Sequence, residues 1–583
     1  MNEHERHEAA IAQYVRGVTY RTSMDGDRQE NLERAIACFR SALTTYTPTA
    51  FPAEWARSQY DLGDAYRELR RGDRQINLKK ALASLQSSLE VYTRDGFPVE
   101  WARTQHCLGL TYLALQELGQ PAFLEKALAS LQSALEVYTL ATFPDERARV
   151  QNSLGDLYCL LPSNDRRKML EKASECYRAA LRVYTREKAP EAWAMLQHNL
   201  GNVYSFLPGG ERAEYLRKAI AHYEASLQIN TLAAFPRNWA DTQNSLGNAY
   251  RNLPNLPDAE PEVSLRKALS CYEATLQVYT REETPIDWAT VQNNLGITYN
   301  LLPGADEQAR LERAIVCFQS ALQVFRYETF PFDWARTQNM LGLTYLDLPG
   351  GDQQHNLRQA IACFEATLHV YTRETFPIGW AAVQNNLGNA YCGLLDGDTS
   401  AHLLKAIACY EATLQVYNRK AFPFDWAKIQ HRLGDAYSTL TLVDREARQA
   451  HVGKAVACYR AALLVYNRDD MPAEWASTQS NLGNAYTHMP TGDRQEYLER
   501  AISCYEAALQ VYTRKDTPVE WASTQQKLAT AYIELPTGDR RANLQNAISC
   551  YEAALRVFLA LNLEESAQAV REALEKARAL VLD

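Results

Sequence analysis

The stretch MPAEWASTQSNLGNAY, residues 471–486, sets the register for the whole chain. In it a proline stands three residues before a tryptophan, an alanine follows the tryptophan, and a glutamine comes four residues after it. The wording returns as DTPVEWASTQQKLATAY at 516–532. The prolines of the series are Pro52, Pro98, Pro144, Pro190, Pro236, Pro285, Pro331, Pro377, Pro423, Pro472 and Pro518, spaced by 46 residues except for two steps of 49. A fixed period of this size is the signature of a repeat array, in which each unit contacts only its neighbours and length is no guide to domain number.

Each unit reads as two helices. The first begins at the proline, whose missing N–H has no partner at that position anyway, and an acid such as Glu54, Glu100, Asp287 or Glu474 follows where the helix dipole favours it. Trp475, Gln479, Leu482 and Tyr486 then fall on one helical face. A loop of Leu-Pro, Gly and Asp follows, as in LPGGE at Leu207, LPGGD at Leu348 and MPTGD at Met489. The second helix carries Leu498, Ala501, Tyr505, Ala508 and Tyr512. The two extra triplets, near Asn255–Pro261 and Thr441–Ala450, are expected in the loop between the two helices. Residues near 5–23 supply a first helix without the proline and tryptophan, which gives twelve helix pairs. The span 1–560 is therefore expected to be one helical solenoid, and 561–583, amphipathic but outside the repeat, a capping helix.

Composition narrows the function. The formal net charge of −9 over 583 residues argues against a phosphate-binding surface, so no nucleic-acid partner is expected. No apolar run approaches the roughly 20 residues that span a bilayer, and the polar start MNEHERHEAA is unlike a signal peptide, so the expectation is a cytoplasmic protein without a membrane partner. Nine of the twelve cysteines share one repeat position that holds Ser84, Ser130 or His222 elsewhere. A slot open to Cys, Ser and His reads as a packing niche, so no metal or cofactor is expected. There is no GxxxxGK[ST] loop, HExxH or GxSxG elbow, so no catalytic residues are assigned and the chain is read as a non-enzyme.

Leu482, Gly483 and Tyr486, followed by Ala501, Tyr505 and Ala508, resemble the tetratricopeptide repeat, with Leu-Gly-x-x-Tyr in the first helix and Ala-x-x-x-Phe/Tyr-x-x-Ala in the second. The period is longer than that family's roughly 34 residues, and glutamine stands where its tryptophan often does. The FPxxWAxxQxxLGxAY wording resembles long bacterial arrays associated with CHAT-type protease or signalling ATPase domains, neither of which occurs here. The resemblance implies an all-α, right-handed superhelical solenoid whose first helices line a concave groove that holds a peptide or protein.

Transferred by position, the groove carries the residues after the glutamine and after the glycine, four apart on one face. These are Asn152 with Asp156, His198 with Asn202, Asn244 with Asn248, Asn385 with Asn389, and His431 with Asp435, together with Asn293, Asn339 and Asn484. The pattern resembles the asparagine ladders of some tetratricopeptide proteins, whose amides both donate to and accept from a peptide backbone. The alternative is that these amides bond neighbouring helices. Arg57, Arg103 and Arg149 share a position two residues after the tryptophan site in three consecutive units, recurring at Arg336 and Lys428, which suits an acidic partner segment. Arg147 breaks the tryptophan series, marking either a weak joint or a widened groove. The leading reading is a protein-binding scaffold. A self-assembling solenoid or a sensor for a separate signalling or defence effector are the others, with oligomeric state open.

Overall fold

The computed structural model describes residues 3–117, 121–163, 165–209, 211–253, 260–304, 306–443, 447–489 and 493–582. Among them the regular elements are twenty-five α-helices and one short 3-10 turn, Pro121–Phe123. The chain divides into two compact units, Met1–Thr280 and Arg281–Asp583.

In the first unit α1 (Glu3–Thr22) pairs with α2 (Arg28–Ala42), α3 (Pro52–Glu68) with α4 (Arg74–Ser88), and α5 (Pro98–Glu117) with α6 (Leu124–Val137). Then α7 (Pro144–Leu160) pairs with α8 (Arg166–Leu181), α9 (Pro190–Phe206) with α10 (Arg212–Leu227), and α11 (Pro236–Asn252) with α12 (Pro261–Thr275). The second unit pairs α13 (Pro285–Leu301) with α14 (Glu307–Leu322), α15 (Pro331–Asp347) with α16 (Gln353–Leu368), and α17 (Pro377–Gly393) with α18 (Thr399–Leu414). It continues with α19 (Pro423–Val443) on α20 (Arg448–Ala462), α21 (Pro472–Thr487) on α22 (Arg494–Ala508), and α23 (Pro518–Glu534) on α24 (Arg540–Ala560), and ends in α25 (Glu564–Leu582). Among the described residues the chain is thus all-α, built from twelve helix pairs and a terminal helix.

The proline start works as its chemistry demands. Phe376, at φ −140° and ψ 65°, precedes Pro377 at the first turn, and the first helical bond runs from Trp380 N to the Phe376 carbonyl at 2.8 Å. Phe376 also packs on Tyr371 at the end of the preceding second helix, ring centres 5.3 Å apart, as Phe422 does on Tyr417 at 5.2 Å. The tryptophans act as joints: Trp475 packs with Ala427, Ala462 and Tyr466 of one pair and with Ala508 and Tyr512 of the next. At the break in the series, Arg147 Nη1 donates to the Tyr138 carbonyl at 2.8 Å, so a hydrogen bond to the preceding second helix replaces the ring.

Within a pair the helices meet at the glycine. A methyl group at Gly388 would stand 2.7 Å from Tyr410 Cε1, and one at Gly296 2.7 Å from Phe318 Cε1, closer than carbon atoms pack, so the second-helix ring lies flat on bare backbone. The loop ends in Gly-Asp. Gly351 takes φ 73°, a left-handed conformation, and Asp352 caps α16 by accepting from His355 N at 3.1 Å. In the shared cysteine slot Cys38, Cys271, Cys363, Cys409 and Cys458 are buried and Cys176, Cys317, Cys504 and Cys550 half-buried, and burial pushes the Cys271, Cys363, Cys409 and Cys458 thiols up to about 12.

The insertion near Asn255–Pro261 lies largely outside the described residues, as do Gly210 of LPGGE, residues 490–492 of MPTGD and 444–446 of the second insertion. The described part of that second insertion corrects the expectation of extra loop. It lengthens α19 to Val443, with Thr441 Oγ1 donating to the Ser438 carbonyl at 2.6 Å.

Candidate binding face on the first helices

Successive first helices touch one another: α1 meets α3, α3 meets α5, and α5 meets α7 in the first unit, while α13 meets α15, α15 meets α17, and α19 meets α21 in the second. Their shared stripe runs down each helix through four positions: the residue after the proline, the second after the tryptophan, the one after the glutamine, and the one after the glycine. These steps of four, three and four keep all four on one face.

The position after the glycine is tied to the second helix of its own pair. Tyr177 donates to Asp156 Oδ1 at 2.7 Å, Tyr223 to Asn202 Oδ1 at 2.7 Å, Tyr272 to Asn248 Oδ1 at 2.8 Å, Tyr410 to Asn389 Oδ1 at 2.9 Å, and Tyr459 to Asp435 Oδ1 at 2.7 Å. Each of these tyrosines is the ring that lies on the adjacent glycine. Thr530 pairs with Tyr551 in the same way, at 2.9 Å. Where the ring is Phe39, Phe318 or Phe364, the residue after the glycine is Val18, Ile297 or Leu343, and where it is Leu131 that residue is Leu110. The departure is Asp64 with Leu85. Burial pushes its carboxyl up, but Arg67 and Arg21, each 2.5 Å away, outweigh burial and hold it below the usual range. Variation along this rung therefore follows the hydroxyl on the second helix. In Asn202, Asn248 and Asn389 the amide oxygen accepts this internal bond with one of its two lone pairs.

The position after the glutamine lies in the seam between consecutive first helices. His198 Nδ1 pairs with Thr242 Oγ1 at 3.0 Å, His431 Nδ1 with Thr478 Oγ1 at 2.8 Å, and the fully buried Asn293 accepts from Thr337 Oγ1 at 3.2 Å. Asn385 Oδ1 accepts from Arg432 at 2.7 Å. Asn199 and Asn481 cross the same seams to reach Asp156 at 3.4 Å and Asp435 at 2.9 Å. Burial lowers the pKa of His198, keeping it neutral in its seam. Asn152 donates weakly to Asp156 at 3.5 Å, and its buried oxygen, like that of Asn339, has no protein partner. Asn244 is half-buried and engaged, and Asn484 is half-buried beside Ser438 and His488 in a cavity of about 170 Å³. The glutamine itself is half-buried, and Gln197 Oε1 meets His222 Nδ1 at 2.6 Å.

The outer half of the stripe is different. Arg57, Arg103 and Arg149 are exposed. Arg57 lies over the Tyr14 ring at 5.5 Å and Arg103 over the Tyr60 ring at 4.4 Å. In the second unit the position after the proline holds Ile286, Phe332, Ile378 and Phe424 on four successive first helices, 49–61% exposed. Sequence reasoning missed this row, whose signal is a large apolar residue after the proline in four consecutive units, where the first unit has Ala53, Val99, Asp145, Glu191 and Arg237. Phe424 borders a cavity of about 590 Å³ with Lys428, His431, Tyr466, Met471 and Glu474.

Among the described residues no group of three or more His, Cys, Asp or Glu is placed to hold a metal ion, and no helix is long and apolar enough to cross a membrane. No protein-family model and no curated protein matches the sequence. Solved structures that superpose along it include the APC/C hetero-tetramer Cut9–Hcn1, at 15% identity and a TM-score of 0.36, covering 99% of this chain and 96% of that one. Yeast Tom70 gives 14% and 0.29, covering 98% and 96%, and the human IFIT1 dimer with PPP-AAAA gives 14% and 0.35, covering 94% and 99%. At such scores these likenesses carry no argument about function, and the repeat character of the chain stands on its own helix pairs and glycine–ring contacts.

Proposed function

We propose that the chain is a non-enzymatic protein-binding scaffold that holds a segment of a partner protein along the first-helix face. The observation that supports this is the row Ile286, Phe332, Ile378 and Phe424: large apolar side chains held in water at one position of four successive first helices. Large apolar side chains repeated at one exposed position mark an interaction site, and an exposed aromatic beside a cavity, as Phe424 is, makes an anchoring point. In the same unit the Asn389 amide lies further along the stripe, where its N–H groups can meet backbone carbonyls of the bound segment.

The test compares proteins captured from lysate, after cross-linking, by the wild-type chain and by Phe332→Ser/Phe424→Ser, with helicity checked by circular dichroism. The doubly substituted chain should keep its helicity and lose the captured partner. Equal capture by both would remove this surface from the binding face. Light scattering on the purified chain separates a foreign partner from a second copy, since the apolar row can also pair with itself.

A further inference from the structure

The apolar row of the second unit ends in an incomplete joint. Phe332 on α15 meets Phe376, the residue before the next proline, edge to face with ring centres 5.4 Å apart, and Phe376 in turn packs on Tyr371 at 5.3 Å. The residue before the next proline is again a phenylalanine after Ile286 and after Ile378, namely Phe330 and Phe422. After Phe424 it is Met471, and the row position that follows is Ala473 in place of another large side chain. Tyr466 keeps the place of Tyr371 and packs in one cluster with Met471. The cavity of about 590 Å³ opens at this joint, bounded by Phe424, Tyr466, Met471 and Ala473, where both the phenylalanine and the large row residue are replaced.

We propose that this cavity takes an aromatic side chain of the bound segment, which supplies from outside the ring that Met471 withholds. The proposal rests on the first-helix face of the second unit being the binding face. Its walls favour a ring over an aliphatic group. Phe424 presents an exposed ring, and aromatic pairs settle edge to face as Phe332 and Phe376 do. Met471 brings a flexible, polarizable thioether, which fits its shape to an incoming group and makes favourable contacts with ring edges. Tyr466 is buried and adds a second aromatic wall. Charge does not choose the occupant, because Lys428 and Arg432 are offset around the cavity by Asp425 and Glu474. Arg432 is moreover engaged by Asn385 at 2.7 Å, and His431 by Thr478 at 2.8 Å.

The experiment uses the full chain and the capped tripeptide acetyl-Ala-Phe-Ala-amide, its ring carrying a 4-fluoro label, followed by fluorine NMR line broadening at low and high salt. The matching leucine tripeptide competes against it. The leucine peptide should bind about three- to tenfold more weakly, the margin an aromatic pair adds beyond its buried area. Salt should change the phenylalanine peptide's binding little. Met471→Phe restores the residue found at Phe330, Phe376 and Phe422, so it should fold, raise the melting temperature and abolish binding. Met195→Ser, which removes an exposed methionine from the first unit, should bind as wild type. Equal affinity for the two peptides, no broadening by the wild-type chain, a steep salt dependence, or unchanged binding by Met471→Phe would each overturn the proposal. Self-association that Met471→Phe abolishes in light scattering would give the cavity to a second copy and overturn it as well. Lysate capture separates the two readings. If Met471→Phe captures as wild type while Phe332→Ser/Phe424→Ser does not, the cavity assignment falls and the binding face stands.

Discussion

The Tyr410 hydroxyl donates to Asn389 Oδ1 at 2.9 Å, from the very ring that lies on the bare backbone of Gly388. One side chain thereby closes the helix pair twice, by contact and by hydrogen bond. Replacing Asn389 by Ala or Tyr410 by Phe strands the remaining partner, at a cost of about 1 kcal/mol each. The double variant Asn389→Leu/Tyr410→Phe reproduces the natural pairing of Leu343 with Phe364 and should recover most of that loss. Urea denaturation of the singles and the double measures the coupling. Strictly additive losses would show that the bond contributes nothing of its own.

Gly388→Ala places a methyl group 2.7 Å from Tyr410 Cε1. Overpacking costs about 1–3 kcal/mol, against a helix-propensity gain of about 1 kcal/mol, so a net loss is expected. The last pair already carries Ala529 at the equivalent place, fully buried, and Ala529→Gly should cost only the propensity of about 1 kcal/mol. A stabilised Gly388→Ala in thermal denaturation would mean that the ring has room to move.

The fold was legible because its signals are local and repeated. Pro377 and Trp380 lie within one turn, and a proline start needs nothing beyond its own chemistry. The role of Asn389 was not legible in the same way. Its partner Tyr410 lies 21 residues on in another helix and reads in sequence as ordinary core. The covariation was present all along: a polar residue follows the glycine wherever a tyrosine occupies the second-helix site, and an apolar one wherever a phenylalanine does. Ile286, Phe332, Ile378 and Phe424 were passed over for the opposite reason. A single apolar residue beside the proline carries little weight next to Phe376 and Trp380, and only its exposure on the folded helix separates it from core.

His106 makes acid stability a test of the seam between α5 and α7. Burial first, then the charges of Arg67 and Arg149, push its pKa down to about 4, with Nε2 placed 3.2 Å from Ser153 Oγ. In the unfolded chain the ring titrates near 6.5. Between these values the unfolded state binds the extra proton, so the stabilisation is present above about 6.5 and is lost as pH falls toward 4. Stability measured against pH should decline over that window, and His106→Gln should flatten the decline. An unchanged slope in the variant would show that His106 is solvated in the folded chain.

The terminal helix offers the sharpest test of how far stabilisation travels along the array. Ala567, Val570, Leu574 and Ala577 of α25 are buried against Tyr551, Ala554, Val557 and Phe558 of α24. Leu574→Ala removes a side chain that is 4% exposed, a change worth about 2–5 kcal/mol in a closed core. In an array whose units contact only their neighbours, that loss stays near the place where it is made. Hydrogen exchange should therefore show α25 and the later turns of α24 losing protection while α13 to α20 keep theirs. If protection falls evenly across Arg281–Asp583, the second unit opens as one cooperative body and the nearest-neighbour description fails.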